Sequence, residues 1–109
     1  MSGANEDIEL LYTRDCKNWQ ETLSNLEQAL KNLSIDEMPK VIPIDTWEQA
    51  LEYHFFASPT IHINGTDIDK RSRRTGKRGL GIDRPYFYKS RSLSVPPVEL
   101  IEEALKELY

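Results

Sequence analysis

The pair Asn64-Gly65, set between Thr60-Ile61-His62-Ile63 and Thr66-Asp67-Ile68, constrains this chain more than any other feature. Asn-Gly accepts the positive φ values of a tight type I′ turn, so the two flanking runs are expected to pair as antiparallel strands. A lone hairpin is marginal in water and needs more strands or a helix against its apolar face. The residues before it supply both. Ile8-Glu9-Leu10-Leu11-Tyr12 is a short strand-favouring run that Thr13-Arg14-Asp15 interrupts. Asp15 is placed to cap a helix, and Trp19, Leu23, Leu26, Leu30 and Leu33 then recur at helical spacing along one face.

A second strand is expected over 41–44. Thr46-Trp47-Glu48-Gln49 has the form of a capping box, which predicts a second helix over 47–56. At the far end, Ser94-Val95-Pro96-Pro97 opens a last helix with Val98, Ile101, Ala104, Leu105 and Leu108 as its apolar face. Residues 70–95 show no clear periodicity and are too long for an ordinary connection, so a special loop or a small irregular element is expected there. The order β-α-β-α-β-β-α predicts an α/β domain with a four-stranded mixed sheet covered by helices. A chain of 109 residues suits one such domain, over 8–109, preceded by a loose polar tail over 1–7.

Composition narrows the setting. The apolar share of 39% and charged share of 29% suit a globular chain rather than a disordered one. No stretch approaches the roughly 20 apolar residues of a membrane span, and no basic region followed by an apolar one opens the sequence, which points to the cytoplasm. Cys16 is the only cysteine, so an internal disulfide is impossible. The net charge of −4 hides a sharp division: residues 70–91 hold nine of the fourteen basic residues and one acid, Asp83, giving +8 there and −12 elsewhere. A basic segment sits on an acidic body.

A cysteine where the first helix begins, together with a proline directly before the hairpin strand, resembles the thioredoxin-like superfamily. The phrases from Leu10-Leu11-Tyr12 to Cys16-Lys17-Asn18-Trp19, and from Ser58-Pro59-Thr60 to Ile68, are similar to a group of small bacterial thioredoxin-fold proteins. The resemblance implies that Cys16 holds the redox position and that Pro59 is cis beside it. It also implies that the Ser58 backbone, with Pro59 and Thr60, offers an edge to an extended peptide or thiol ligand. Trp19 stands where a dithiol enzyme has its resolving cysteine, so only monothiol chemistry fits, with glutathione or another external thiol as co-reactant and no bound cofactor.

At a helix N-terminus, unpaired N–H groups and the helix dipole favour thiolate over thiol. The plain alternative is that Cys16 is a small buried apolar residue. Trp19 is expected to be mostly buried with Leu23 and Leu26, and His54 and His62 lack ligand spacing, so no metal is expected. Arg71, Arg73, Arg74, Lys77 and Arg78 are candidate partner contacts, and neutralising Arg71, Arg73, Arg74 and Arg78 is expected to spare stability. The acidic total and the absence of a nucleic-acid motif argue against nucleic acid and leave either a solvated surface loop or docking of an acidic partner. Two functions follow as expectations: a monothiol redox or thiol-transfer protein using Cys16, or a non-catalytic module that binds an acidic partner through its groove or basic loop.

Overall fold

The structure, a computed structural model, describes residues 7–109, with the backbone but not the side chain of Arg74. The tail expected over 1–7 therefore lies outside the described residues except for Asp7. That residue is tied down: its N–H donates to Asn64 Oδ1 and its carbonyl accepts from Asn64 N–H.

Strands β1 (Ile8–Tyr12), β2 (Lys40–Pro43), β3 (Thr60–Ile63) and β4 (Thr66–Asp67) form a mixed sheet in the order β2-β1-β3-β4. β1 runs parallel to β2 and antiparallel to β3, and β3 and β4 make the hairpin that Asn64-Gly65 closes, both residues at positive φ. Side chains alternate across a strand. Ile8, Leu10, Ile61 and Ile63 accordingly enter one core with helices α1 (Trp19–Asn32) and α3 (Val98–Leu108). Leu11 enters a second, smaller core with Ile44, Ala50 and Phe55 beside helix α2 (Trp47–Glu52). Among the described residues no helix is long and apolar enough to cross a membrane.

Helix ends depart from the sequence expectation in two places. α1 starts at Trp19 with Asn18 as its cap, because Thr22 returns both its N–H and its hydroxyl to the Asn18 carbonyl. Asp15 is exposed in the turn before it and caps nothing. α2 begins on the predicted Thr46–Gln49 capping box but ends at Glu52, not 56. His54 takes a left-handed conformation, while Phe55 N–H reaches the Ala50 carbonyl and His54 N–H that of Leu51, the hydrogen-bond pattern of a Schellman ending. The chain is thereby freed to run extended toward Pro59.

The segment over 70–95 is structured. It holds a 3₁₀ turn, Lys70–Arg74, and a second hairpin of β5 (Tyr86–Tyr88) and β6 (Arg91–Leu93). Lys89 and Ser90 join these strands, both at positive φ. Between the two elements, residues 79–84 lie along 55–58. Gly79 N–H donates to the Phe55 carbonyl, Gly81 N–H to that of Phe56, Ser58 N–H to that of Gly81, and Arg84 N–H to that of Ser58. The approach is close enough that a Cβ on Gly81 would sit 3.1 Å from both the Phe56 carbonyl and the Ala57 Cβ.

Candidate functional site

The antiparallel register ends β1 where β3 begins, so Thr13, Cys16, Ser58 and Pro59 fall at one edge of the sheet. The Ser58-Pro59 peptide is cis, as the resemblance implied. Cys16 is a free thiol and 3% exposed. It lies in the turn before α1 rather than at the helix N-terminus, and its N–H donates to the Thr13 carbonyl at 3.1 Å. Trp19 is half-buried and stacks on Tyr12 with ring centroids 4.2 Å apart. It packs at the border of the core with Leu23, while only Leu26 of the expected trio is fully buried.

One expected property of this edge fails. The Ser58 backbone is not free for a ligand, since Gly81 takes its N–H and Arg84 takes its carbonyl. Pro59 and Thr60 are buried too, and the Thr60 hydroxyl donates to the Ala57 carbonyl at 2.6 Å. The chain itself occupies the pairing edge. Two hydroxyls here, Thr13 Oγ1 and Ser58 Oγ, are buried with no hydrogen-bond partner.

On the neighbouring face, Thr60, His62 and Asp67 share the polar side of the β3–β4 hairpin, opposite Ile61 and Ile63. Into it reaches Arg84, which the sequence shows only as one more cation of the basic segment. Its guanidinium is 1% exposed and makes a bidentate pair with Asp67 at 2.9 and 2.8 Å, with further bonds to Thr60 Oγ1 and Ser72 Oγ. The rings of Phe56 and Tyr86 flank it at 4.7 and 4.5 Å. Burial opposes the Arg84 charge, but Tyr86 and the bonded Asp67 carboxylate outweigh it and hold the pKa above its ordinary value. Tyr86 is wholly buried, its hydroxyl donates to the Pro59 carbonyl, and burial drives its pKa far up. This cluster ties residues 84–86 to the hairpin and to the cis peptide.

Beside it opens a cleft of about 360 Å³ between the hairpin, the end of α2 and residues 72–78. Its charged lining is Arg73, Lys77, Arg78 and Asp67, with His54 and His62. Asp67 is neutralised by Arg84. Arg73 is engaged, through its bond to the Asp67 carbonyl at 2.6 Å and its pair with Glu107, whose carboxyl it holds below the usual range. Lys77 has no side-chain partner among the described residues, and Arg78 donates to His54 Nδ1 and to the Lys77 carbonyl. His62 is held below its ordinary pKa by burial, against the opposing pull of Asp67 and with Arg84, His54 and Arg78 adding to the depression.

The five predicted partner residues thus divide. Arg73, Lys77 and Arg78 meet in this cleft, whereas Arg71 lies over the Phe87 ring at 4.6 Å and lines a different hollow with Glu103 and Glu107. The Arg74 side chain lies outside the description. Arg73 does not fit the expectation that these cations are dispensable for folding, because it joins the hairpin to α3. Among the described residues no group of three or more His, Cys, Asp or Glu side chains is arranged to hold a metal ion. Set against protein-family models, curated proteins and solved structures, the chain matches none of them.

Proposed function

We propose that this chain is a thioredoxin-like binding module that recognises an acidic protein partner through its cationic cleft and does not cycle Cys16. The order of elements, the strand order β2-β1-β3-β4 and the proline before β3 support the thioredoxin-like frame. The observation that carries the function is the state of the cleft's charges. Among the described residues its one acid, Asp67, is neutralised from within, while Lys77 has no side-chain partner and Arg78 no counter-charge. Unpaired cations on a concave wall attract acidic groups and steer their approach. Acidic surface elsewhere on the chain directs such a partner toward this wall.

The probe is fluorescein-labelled poly-L-glutamate, titrated by anisotropy across a salt series. Binding is expected at low salt and should weaken steeply as salt rises, because screening shortens the reach of exposed charges to about 8 Å at physiological ionic strength. The variant Lys77→Ala/Arg78→Ala should lose most of it. No binding at low salt, or binding indifferent to that variant, contradicts the proposal.

A second reading, monothiol transfer, is favoured by the two unpartnered hydroxyls at the Cys16 edge, since buried hydroxyls without partners are uncommon. In it the Cys16 thiolate attacks a disulfide sulfur, the departing thiolate takes up a proton, and glutathione or a partner thiol resolves the mixed disulfide. Iodoacetamide decides between the two. Alkylation of Cys16 in the folded protein favours the thiol reading, and inertness at every pH short of unfolding favours the binding module.

A further inference from the structure

We propose that the cleft is a phosphoryl site, seating a phosphoryl dianion between Lys77, Arg78 and the buried His62, with the Ser72 hydroxyl as a further donor. This rests on the anion recognition proposed above and names the anion for which the cleft is equipped.

The observation that separates this cleft from a merely basic surface is His62. Its side chain is 6% exposed, it lines the cleft, and neither ring nitrogen has a hydrogen-bond partner among the described residues. The nearest acceptor, Asp67 Oδ2, stands 3.9 Å from Nε2, beyond hydrogen-bonding distance. Neither nitrogen is among the fully buried atoms that lack a partner, so both are reached from the cleft that the ring lines, where a guest can supply the bond. A neutral imidazole offers it one N–H.

The remaining donors match the same kind of guest. Lys77 supplies an ammonium with no side-chain partner among the described residues. Arg78 is fixed by His54 and by the Lys77 carbonyl, which engage two of the five N–H groups a guanidinium carries. Ser72 Oγ accepts from Arg84, which leaves its proton free to donate outward. Cationic and neutral donors converging from several elements suit three acceptor oxygens and nearly two negative charges better than the two coplanar oxygens of a carboxylate. Asp67, the only carboxylate lining the cleft among the described residues, would oppose such a guest. Arg84 cancels it from the buried side, which leaves Lys77 and Arg78 to set the cleft's net charge.

The same phosphoryl chemistry comes either on a small ester or on a modified side chain of the acidic partner. Titrations of the whole chain, followed by the His62 ring and by the backbone amides of residues 72–78, use three probes at constant ionic strength. They are inorganic phosphate, an acidic peptide, and that peptide carrying one phosphoserine. Saturable shifts at His62 and residues 72–78 are expected with phosphate and with the phosphopeptide. Lys77→Ala/Arg78→Ala should weaken both at least tenfold, and His62→Asn should weaken both measurably, whereas Lys89→Ala/Arg91→Ala on the β5–β6 turn should change neither by more than twofold. A phosphopeptide that binds more tightly than phosphate assigns the group to a protein, and equal binding assigns it to a small ester.

The inference is overturned if phosphate and phosphopeptide give no saturable shift, or if Lys89→Ala/Arg91→Ala weakens them as much as the cleft variant does. In either case, poly-L-glutamate binding that still depends on Lys77 and Arg78 leaves the broader proposal standing. Loss of that dependence removes both.

Discussion

Arg84 and Lys77 belong to one cationic segment, yet their surroundings are opposite. Arg84 is sealed between two aromatic rings with both terminal nitrogens bonded to Asp67, Thr60 and Ser72, while Lys77 is exposed and pairs with no acid among the described residues. A run of like charge in a sequence is therefore not one functional element. In this chain it combines a structural pin with a recognition wall, and burial decides which residue does which. Arg73 stands between the two, lining the cleft while bonded to the hairpin and to α3.

The sharpest way to break the contrast is to remove each cation. Arg84→Ala leaves Asp67 buried without its counter-charge and is expected to cost about 3–5 kcal/mol of folding stability. Lys77→Ala should stay within about 0.5 kcal/mol of wild type in the same urea titration. Tyr86→Phe comes next. It leaves the Pro59 carbonyl without its donor in a buried setting, for a loss of roughly 1–3 kcal/mol by urea unfolding. Arg73→Ala removes one backbone bond and one partly exposed pair and should cost about 1 kcal/mol, enough to distinguish it from Lys77.

The smallest effect is one of pH. Burial depresses the folded-state pKa of His62 below its ordinary 6.5, so the unfolded chain binds the extra proton first. This contribution to stability is complete above about pH 6.5 and declines as pH falls below it, until the folded-state pKa is passed. His62→Asn should flatten that part of the stability profile. An unchanged profile would mean that His62 titrates alike in both states.

Much of the frame is legible in the sequence because it depends on local chemistry. Asn64-Gly65 dictates its turn, Thr46 and Gln49 their capping box, and the leucines of α1 their face. Other features depend on partners far along the chain. Nothing near Arg84 announces that Asp67, on a different element, will neutralise it. The Tyr86-Phe87-Tyr88 run carries a strand-favouring aromatic signal, but its turn, Lys89-Ser90, lacks the residues that usually mark one. Closure of the edge at Ser58 depends on distant residues in the same way. Gly79 and Gly81 read as loop residues, although they allow the chain to lie against Phe56 and Ala57 and close that edge. The cleft combines both cases, since Lys77 and Arg78 stand out by charge whereas His62 joins them only through the fold.

The central claim is that recognition resides in the unpaired cations of the cleft and not at Cys16. The most direct test compares poly-L-glutamate affinity at low salt for wild type, Cys16→Ser and Lys77→Ala/Arg78→Ala, each shown by urea titration to be folded. The account predicts that Cys16→Ser binds as wild type does and that the double variant binds at least tenfold more weakly. Equal binding by the double variant, or a loss confined to Cys16→Ser, would contradict it.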